Sequence, residues 1–350
     1  MENIAVRVDG GPERGMGHLM RCLALTEEFS DEFDIVFITK KEKSVIDTLK
    51  NTRYGHVNLP EDISYQNEVE KVKKILKDRE PDIFIGDIYH IESSHDIDEN
   101  YLKEIKKFVE ETVLISPKES LVLPYDIVIN GNVFAEDLEY KTLSDDTIFL
   151  LGPKYALLRN EFKDLPDIDV KEKVTNILVT MGGGDLLNLT PKAIKAVESL
   201  GKDDIHVDVI VGPAAHNRVD IENTITEVDT NVTLWSDPPK ISELMLKADL
   251  AISAGGGTLY ELAAVGTPAI VLLQADNQKR IADSMQEKGT AKVLGFGDQI
   301  KADEVKNSIR ELIEDEKQRK IMSERGKKLF DGLGAVRCAD IILKRRGMIP

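Results

Sequence analysis

Three glycine-rich stretches in this chain follow short apolar runs and precede helical patterns, and residues able to bind phosphate or move a proton gather around them. The first reads Val8-Asp9-Gly10-Gly11-Pro12-Glu13-Arg14-Gly15-Met16-Gly17-His18 and leads into an expected helix over Leu19 to Phe29. Glycines there allow tight turns beside a ligand. His18 stands at the helix start, where the positive end of the macrodipole favours the neutral imidazole that a general base needs. The alternative is a histidine that only caps the helix or lies against the sheet. The second stretch, Thr180-Met181-Gly182-Gly183-Gly184-Asp185, leads toward a helix around Asn188 to Leu200. In the third, Ser253-Ala254-Gly255-Gly256-Gly257-Thr258, a strand ends, three glycines expose N–H groups and a helix points its positive end at the loop, as diphosphate binding requires. Glu261 falls one turn inside that helix, where a carboxylate can accept both hydroxyls of a ribose. Thr258-x-x-Glu261 also reads as a capping box, Gly182 to Gly184 as a plain tight turn, and Asp276-Asn277-Gln278 as a helix N-cap. The three loops recur at strand ends, and turns and caps alone do not explain that placement.

Other phosphate motifs are absent. Neither Gly-x-x-x-x-Gly-Lys nor Gly-x-Gly-x-x-Gly fits the first loop, and the second strand ends Thr39-Lys40, without the acidic residue that binds an NAD ribose. The chain has 46 basic and 63 acidic residues, a net charge of −17, and no dense Lys/Arg block, so nucleic acid is not an expected partner. Helix N-termini supply local positive potential to an acidic protein all the same. Cys22 and Cys338 stand far apart without a CxxC or CxxH companion, which suggests neither a disulfide scaffold nor a zinc site. No apolar run reaches the roughly 18 residues of a membrane span, and the start carries no signal-peptide pattern. Stable membrane insertion is not expected, and a cytoplasmic protein is.

The elements that must hold these loops alternate as βαβ units. Strands are expected at Ile4 to Val8, Ile35 to Thr39, Ile83 to Asp87, Thr112 to Ile115, Ile127 to Asn130 and Ile148 to Leu150. A second series is expected at Asn176 to Met181, Val207 to Val211, Val232 to Trp235, Leu250 to Ser253, Ala269 to Leu273 and Ala291 to Leu294. With 350 residues, 41% of them hydrophobic, the chain suits two domains. These are residues 1–152 and 174–334, joined by a linker at 153–173 and followed by a C-terminal helix in 335–350 able to pack back on the first domain.

In this order the motifs resemble a family of UDP-sugar hydrolases from the pseudaminic acid pathway and the related spore-coat polysaccharide proteins, relatives of the lipid II-forming N-acetylglucosaminyltransferase. The resemblance runs through Gly15-Met16-Gly17-His18-Leu19-Met20-Arg21-Cys22, Tyr155-Ala156-Leu157-Leu158-Arg159-Asn160-Glu161-Phe162, Met181 to Asp185, Ser253 to Glu261 and Ala275-Asp276-Asn277-Gln278. It implies an α/β fold of GT-B type, two Rossmann-like domains with parallel sheets facing across a cleft and UDP held mainly by the C-terminal half. It also implies inverting attack of water at the anomeric carbon of a diacetamido-type sugar, with no metal or cofactor. His18 becomes the base and Asp9 a further catalytic candidate, with Arg14, Gly15 and Gly17 beside the sugar. Gly182, Gly183, Gly255, Gly256, Gly257 and Thr258 would face the diphosphate, Glu261 the ribose, and Asn277 and Gln278 the sugar or phosphate edge. Arg159 would either reach the cleft or form a salt bridge that locks the domains. The family often shows Asp-His-Tyr after the third strand, where this chain has Asp87-Ile88-Tyr89-His90, so Asp87 and Tyr89 are the candidates there. A glycosyltransferase of the same fold, a UDP-sugar 2-epimerase and a non-catalytic nucleotide-sugar binding protein are the competing readings.

Overall fold

The computed structural model describes residues 2–11, 15–88, 99–117, 122–212, 214–236, 238 and 240–349. Arg14 and Tyr89, both expected near the substrate, lie outside the described residues. Among the described residues, nine strands belong to the first half: β1 (Asn3–Val8), β2 (Asp34–Lys40), β3 (Gly55–Leu59), β4 (Ile83–Asp87), β5 (Glu111–Ile115), β6 (Val122–Leu123), β7 (Ile127–Asn130), β8 (Lys141–Thr142) and β9 (Ile148–Leu151). Seven form one sheet in the order β3-β2-β1-β4-β5-β7-β9, and β6 pairs with β8. The second half has β10 (Asn176–Thr180), β11 (His206–Val211), β12 (Asn231–Ser236), β13 (Leu250–Ala254), β14 (Ala269–Leu273) and β15 (Ala291–Phe296), ordered β12-β11-β10-β13-β14-β15. All pairings in both large sheets are parallel. Helices cover such sheets on both faces, which is why β4, β5, β7, β13 and β14 are mainly apolar and buried throughout.

Every strand expected from the sequence is present to within two residues. The expected set lacks β3, whose Gly-His-Val-Asn-Leu is half exposed at a sheet edge and has no apolar run to betray it. It also lacks the two-residue strands β6 and β8. The first helix starts earlier and ends sooner than expected, at Gly17–Thr26, and Phe29 reaches the core from the turn that follows. The helix after β10 runs Leu189–Glu198.

The chain divides into two compact units, residues 1–159 with 333–350 and residues 160–332. The irregular stretch expected as a linker at 153–173 therefore packs residue by residue into one unit or the other. In the first unit, Cβ atoms built on Gly131 and Gly334 would stand 2.4 Å from Ala156 Cα and 2.1 Å from Ala156 O, so both glycines are there to let the backbone pass. In the second unit, fully buried Arg319 donates to the carbonyls of Leu312, Ile313, Lys171 and Glu172 at 2.6–2.7 Å and pins that stretch to the helix Ala302–Glu314. The last helix, Gly334–Arg345, buries Ala335, Cys338, Ala339 and Ile342 at helical spacing and belongs to the first unit. Among the described residues no helix is long and apolar enough to cross a membrane.

Each sheet reverses its winding beside its first strand, between β1 and β4 and between β10 and β13. At such a switch point the loops leaving the two strands diverge and open a crevice at their carboxyl ends, where open α/β sheets bind ligands. His18 follows β1 and Asp87 ends β4. Gly182 to Gly184 follow β10, and Gly255 to Gly257 follow β13.

Candidate functional site

In the first unit the switch point brings His18 and Asp87 together. His18 Nδ1 lies 2.9 Å from Asp87 Oδ1, with the imidazole 22% exposed and the carboxylate 1%. Arg21, one turn further along the same helix, donates from Nε to Asp87 Oδ2 and from Nη2 to Asp87 Oδ1 at 2.6 Å. Burial alone would raise the Asp87 carboxyl, yet Arg21 and His18 outweigh it and hold it well below the usual carboxylate range. Arg21 Nη2 also lies 3.0 Å from His18 Nδ1, but one ring nitrogen cannot donate to Asp87 and accept from Arg21 at once. An ionised carboxylate favours the proton on Nδ1, so in the neutral ring Nε2 is the acceptor. The helix N-cap is Met16, without a side-chain cap bond, so His18 is neither a cap nor a buried core histidine. Cys22 Sγ lies 3.8 Å from Asp87 Oδ2. Burial and the Asp87 charge push its thiol up and disfavour the thiolate.

Asp9 is placed differently from His18. Its two oxygens accept from Arg7 Nη1 at 2.6 Å and Nη2 at 2.8 Å, and Oδ1 also accepts the Lys40 amide at 2.8 Å. Arg7, fully buried in β1, donates as well to Glu68 Oε1 at 2.7 Å. Burial would depress this guanidinium, but Asp9 and Glu68 hold it charged. The network anchors the start of the first glycine loop, a positioning role for Asp9. Sequence reading did not single out Arg7, Glu68 or Arg21. The available signals were a lone charge within apolar Ile4-Ala5-Val6-Arg7-Val8 and an i, i+3 spacing that puts Arg21 on the His18 face of its helix.

The glycines fall into two kinds. Gly15 (φ +75°) and Gly182 (φ +75°) occupy the left-handed region, and a Cβ on Gly255 would meet Leu273 Cδ2 at 2.7 Å, so the chain itself requires them. Gly17, Gly256 and Gly257 have neither reason: their φ is not positive, and beyond their chain neighbours and their own helix no described atom lies within 4 Å of where a Cβ would stand. The helix Thr258–Val265 is capped by Gly257 with no side-chain cap bond, so Thr258 is its first residue rather than its cap. The capping-box reading of Thr258 and Glu261 therefore fails. Leu259 N donates to Gly256 O at 3.0 Å and Tyr260 N to Gly257 O at 2.9 Å, so the carbonyls of the glycine loop close the first turn of this helix. Gly182 adjoins the same helix start, its Cβ position 3.6 Å from Thr258 Oγ1. Gly183 is held by its carbonyl, which accepts from Ala214 N at 2.9 Å. Asp185 caps the helix Leu189–Glu198, accepting from Leu189 N at 2.7 Å and Thr190 N at 2.9 Å.

Asn277 is exposed at the second position of the helix Asp276–Glu287, whose N-cap is Ala275, so Asp276-Asn277-Gln278 is not an N-cap either. Gln278 Oε1 accepts from the amides of Gly255 at 3.2 Å and Gln274 at 2.9 Å. Arg159 is half-buried where the chain leaves the first unit. Among the described residues no group of three or more His, Cys, Asp or Glu is placed to hold a metal ion.

Residues 176–335 match the glycosyltransferase family 28 C-terminal domain, and all but the last three of them lie in the second unit. Homologues include an uncharacterised protein of Methanocaldococcus jannaschii, 30% identical over 81% of this chain. The chain spans 58% of that relative's length. The spore coat polysaccharide biosynthesis protein SpsG of Bacillus subtilis is 26% identical over 97% of both chains. The UDP-2,4-diacetamido-2,4,6-trideoxy-beta-L-altropyranose hydrolase of Campylobacter jejuni is 24% identical over 82% of this chain and 97% of its own. Among solved structures, MurG of Acinetobacter baumannii shares the fold with a TM-score of 0.67 at 13% identity, covering 98% of this chain and 100% of that one. The fold is GT-B, two α/β domains each built on a parallel sheet.

Proposed function

We propose that this protein is an enzyme acting on UDP-sugars, and specifically a hydrolase that releases UDP and a free sugar. The observation that carries the reading is the His18–Asp87 pair at the switch point of the first unit. A non-catalytic binding protein has no use for a histidine oriented by a buried, Arg-held carboxylate. In the second unit, the glycine amides and the start of the helix Thr258–Val265 suit a diphosphate, and Glu261 in its first turn suits a ribose. His18 Nε2 takes a proton from water as the water oxygen bonds to the anomeric carbon from the face opposite the diphosphate. The carbon–oxygen bond to the diphosphate breaks with its electron pair going to UDP, and the sugar leaves inverted. Asp87 stabilises the imidazolium that forms.

The Campylobacter relative supports water as acceptor and a diacetamido sugar as substrate, and the Bacillus relative supports a place in surface-polysaccharide synthesis. The match to a glycosyltransferase family 28 domain favours a second reading, in which the same His18 deprotonates an acceptor hydroxyl. Incubation with a panel of UDP-sugars in buffer without acceptor, followed by NMR, tests the choice. Release of UDP with an inverted free sugar supports the hydrolase. Sugars that bind yet stay intact until a glycan or lipid acceptor is added establish the transferase instead.

A further inference from the structure

Gln274 follows β14 and is 7% exposed. Its carboxamide nitrogen donates to Met181 O at 3.0 Å and to Gly184 O at 3.2 Å, the two ends of the glycine turn after β10. Its backbone amide donates to Gln278 Oε1, which also accepts from Gly255. Four hydrogen bonds thus run from the turn 181–184 through Gln274 and Gln278 to the loop before the helix Thr258–Val265. The carboxamide oxygen of Gln274 is buried with no partner among the described residues. An amide with an unpaired buried oxygen is a poor way to fill space, since a methionine of similar volume would bury no polar atom. What the glutamine offers and a methionine lacks is a pair of N–H groups that span the two carbonyls.

We propose that Gln274 is a positioning residue for nucleotide binding, stapling the glycine turn after β10 in register with the glycine loop after β13 so that both present their backbone to one diphosphate. This rests on the nucleotide-sugar reading above. It predicts a binding defect rather than a chemical one, because Gln274 holds the platform and takes no part in proton transfer. The test is calorimetric titration of the full-length protein with UDP, alongside steady-state kinetics on the substrate found in the panel. For Gln274→Met the UDP Kd and the KM should both rise about 10-fold or more, with kcat within about 3-fold of the parent, the pattern of lost uniform binding. If Gln274→Met does not fold, Gln274→Glu keeps the volume but offers at most one proton to two carbonyls, and the same rise is expected. Unchanged UDP affinity in either folded variant, with only a lower melting temperature, overturns the inference and leaves Gln274 a core residue. A parent protein that binds no UDP overturns the nucleotide reading itself, and the inference with it.

Discussion

A carboxylate that is 1% exposed keeps its charge only where cations or hydrogen-bond donors face it, and Asp87 has Arg21 as the first and His18 Nδ1 as the second. Its proton chemistry follows from that setting. Replacing His18 with Asn should lower turnover by roughly 10²- to 10⁴-fold while leaving UDP affinity nearly intact, which single-turnover kinetics and UDP titration check together. Asp87→Asn should act on stability as well. The folded carboxyl lies below its unfolded value of about 3.9, so the ion pair contributes fully above that pH, and its contribution is lost as pH falls through the folded value. Urea denaturation from about pH 7 down to 2.5 should show the variant about 2–3 kcal/mol less stable near neutrality, with the gap closing below about pH 4. The magnitude stays under that of a fully buried pair because Arg21 is 24% exposed. A gap that stayed constant with pH would mean that the charge of Asp87 contributes nothing. His18 was legible from sequence because a histidine beside glycines at a strand end is a local pattern. The partnership of Asp87 with it was not, since 69 residues separate them and only the β1–β4 pairing brings them together.

At the scale of elements, helix starts decide what the second unit can bind. Thr258 opens its helix without capping it, so Thr258→Ala should move the melting temperature far less than loss of a true N-cap, which costs about 1 kcal/mol. UDP affinity should drop in the same variant if the hydroxyl meets phosphate. Glu261→Gln should weaken UDP binding by about 1–3 kcal/mol, the scale of losing charge-assisted hydrogen bonds, and calorimetry with UDP against uracil-free pyrophosphate would localise the loss to the nucleoside. An equal loss for both ligands would remove Glu261 from the ribose. The glycine loops themselves were readable because strand, glycines and helix follow one another within about a dozen residues. Gln274 was not, because a polar residue just past an apolar strand is common at any strand end, and its donors reach a turn some 90 positions away. Edge strand β3 escaped for the opposite reason: half exposed and polar, it lacks the apolar run that marks its neighbours.

At the scale of the whole molecule, the first unit is built from both ends of the chain and the second from its middle. The alternation of strands and helices implies two Rossmann-like halves, with the apolar-faced terminal helix able to pack back on the first. The packing gives the reason it belongs to the first. Cys338 and Ile342 bury their side chains, Arg345 pairs with Glu111 at 2.9 Å, and Arg346 pairs with Glu110 at 2.8 Å and Glu2 at 3.1 Å. These partners sit at the start of β5 and just ahead of β5 and β1, so the helix ties together strands that lie far apart in sequence. Truncation after Gly332 should therefore uncover the apolar face of the helix Gly17–Thr26, which carries His18, and destabilise the first unit alone. The second unit loses none of its own elements. A chain ending at residue 332 should bind UDP within about 3-fold of the full-length affinity and show no turnover, because its losses are confined to the unit that supplies the base. Calorimetric unfolding should show one transition shifted down by several degrees and one unchanged. If the truncated chain loses UDP binding in parallel with turnover, the nucleotide is not held by the second unit alone.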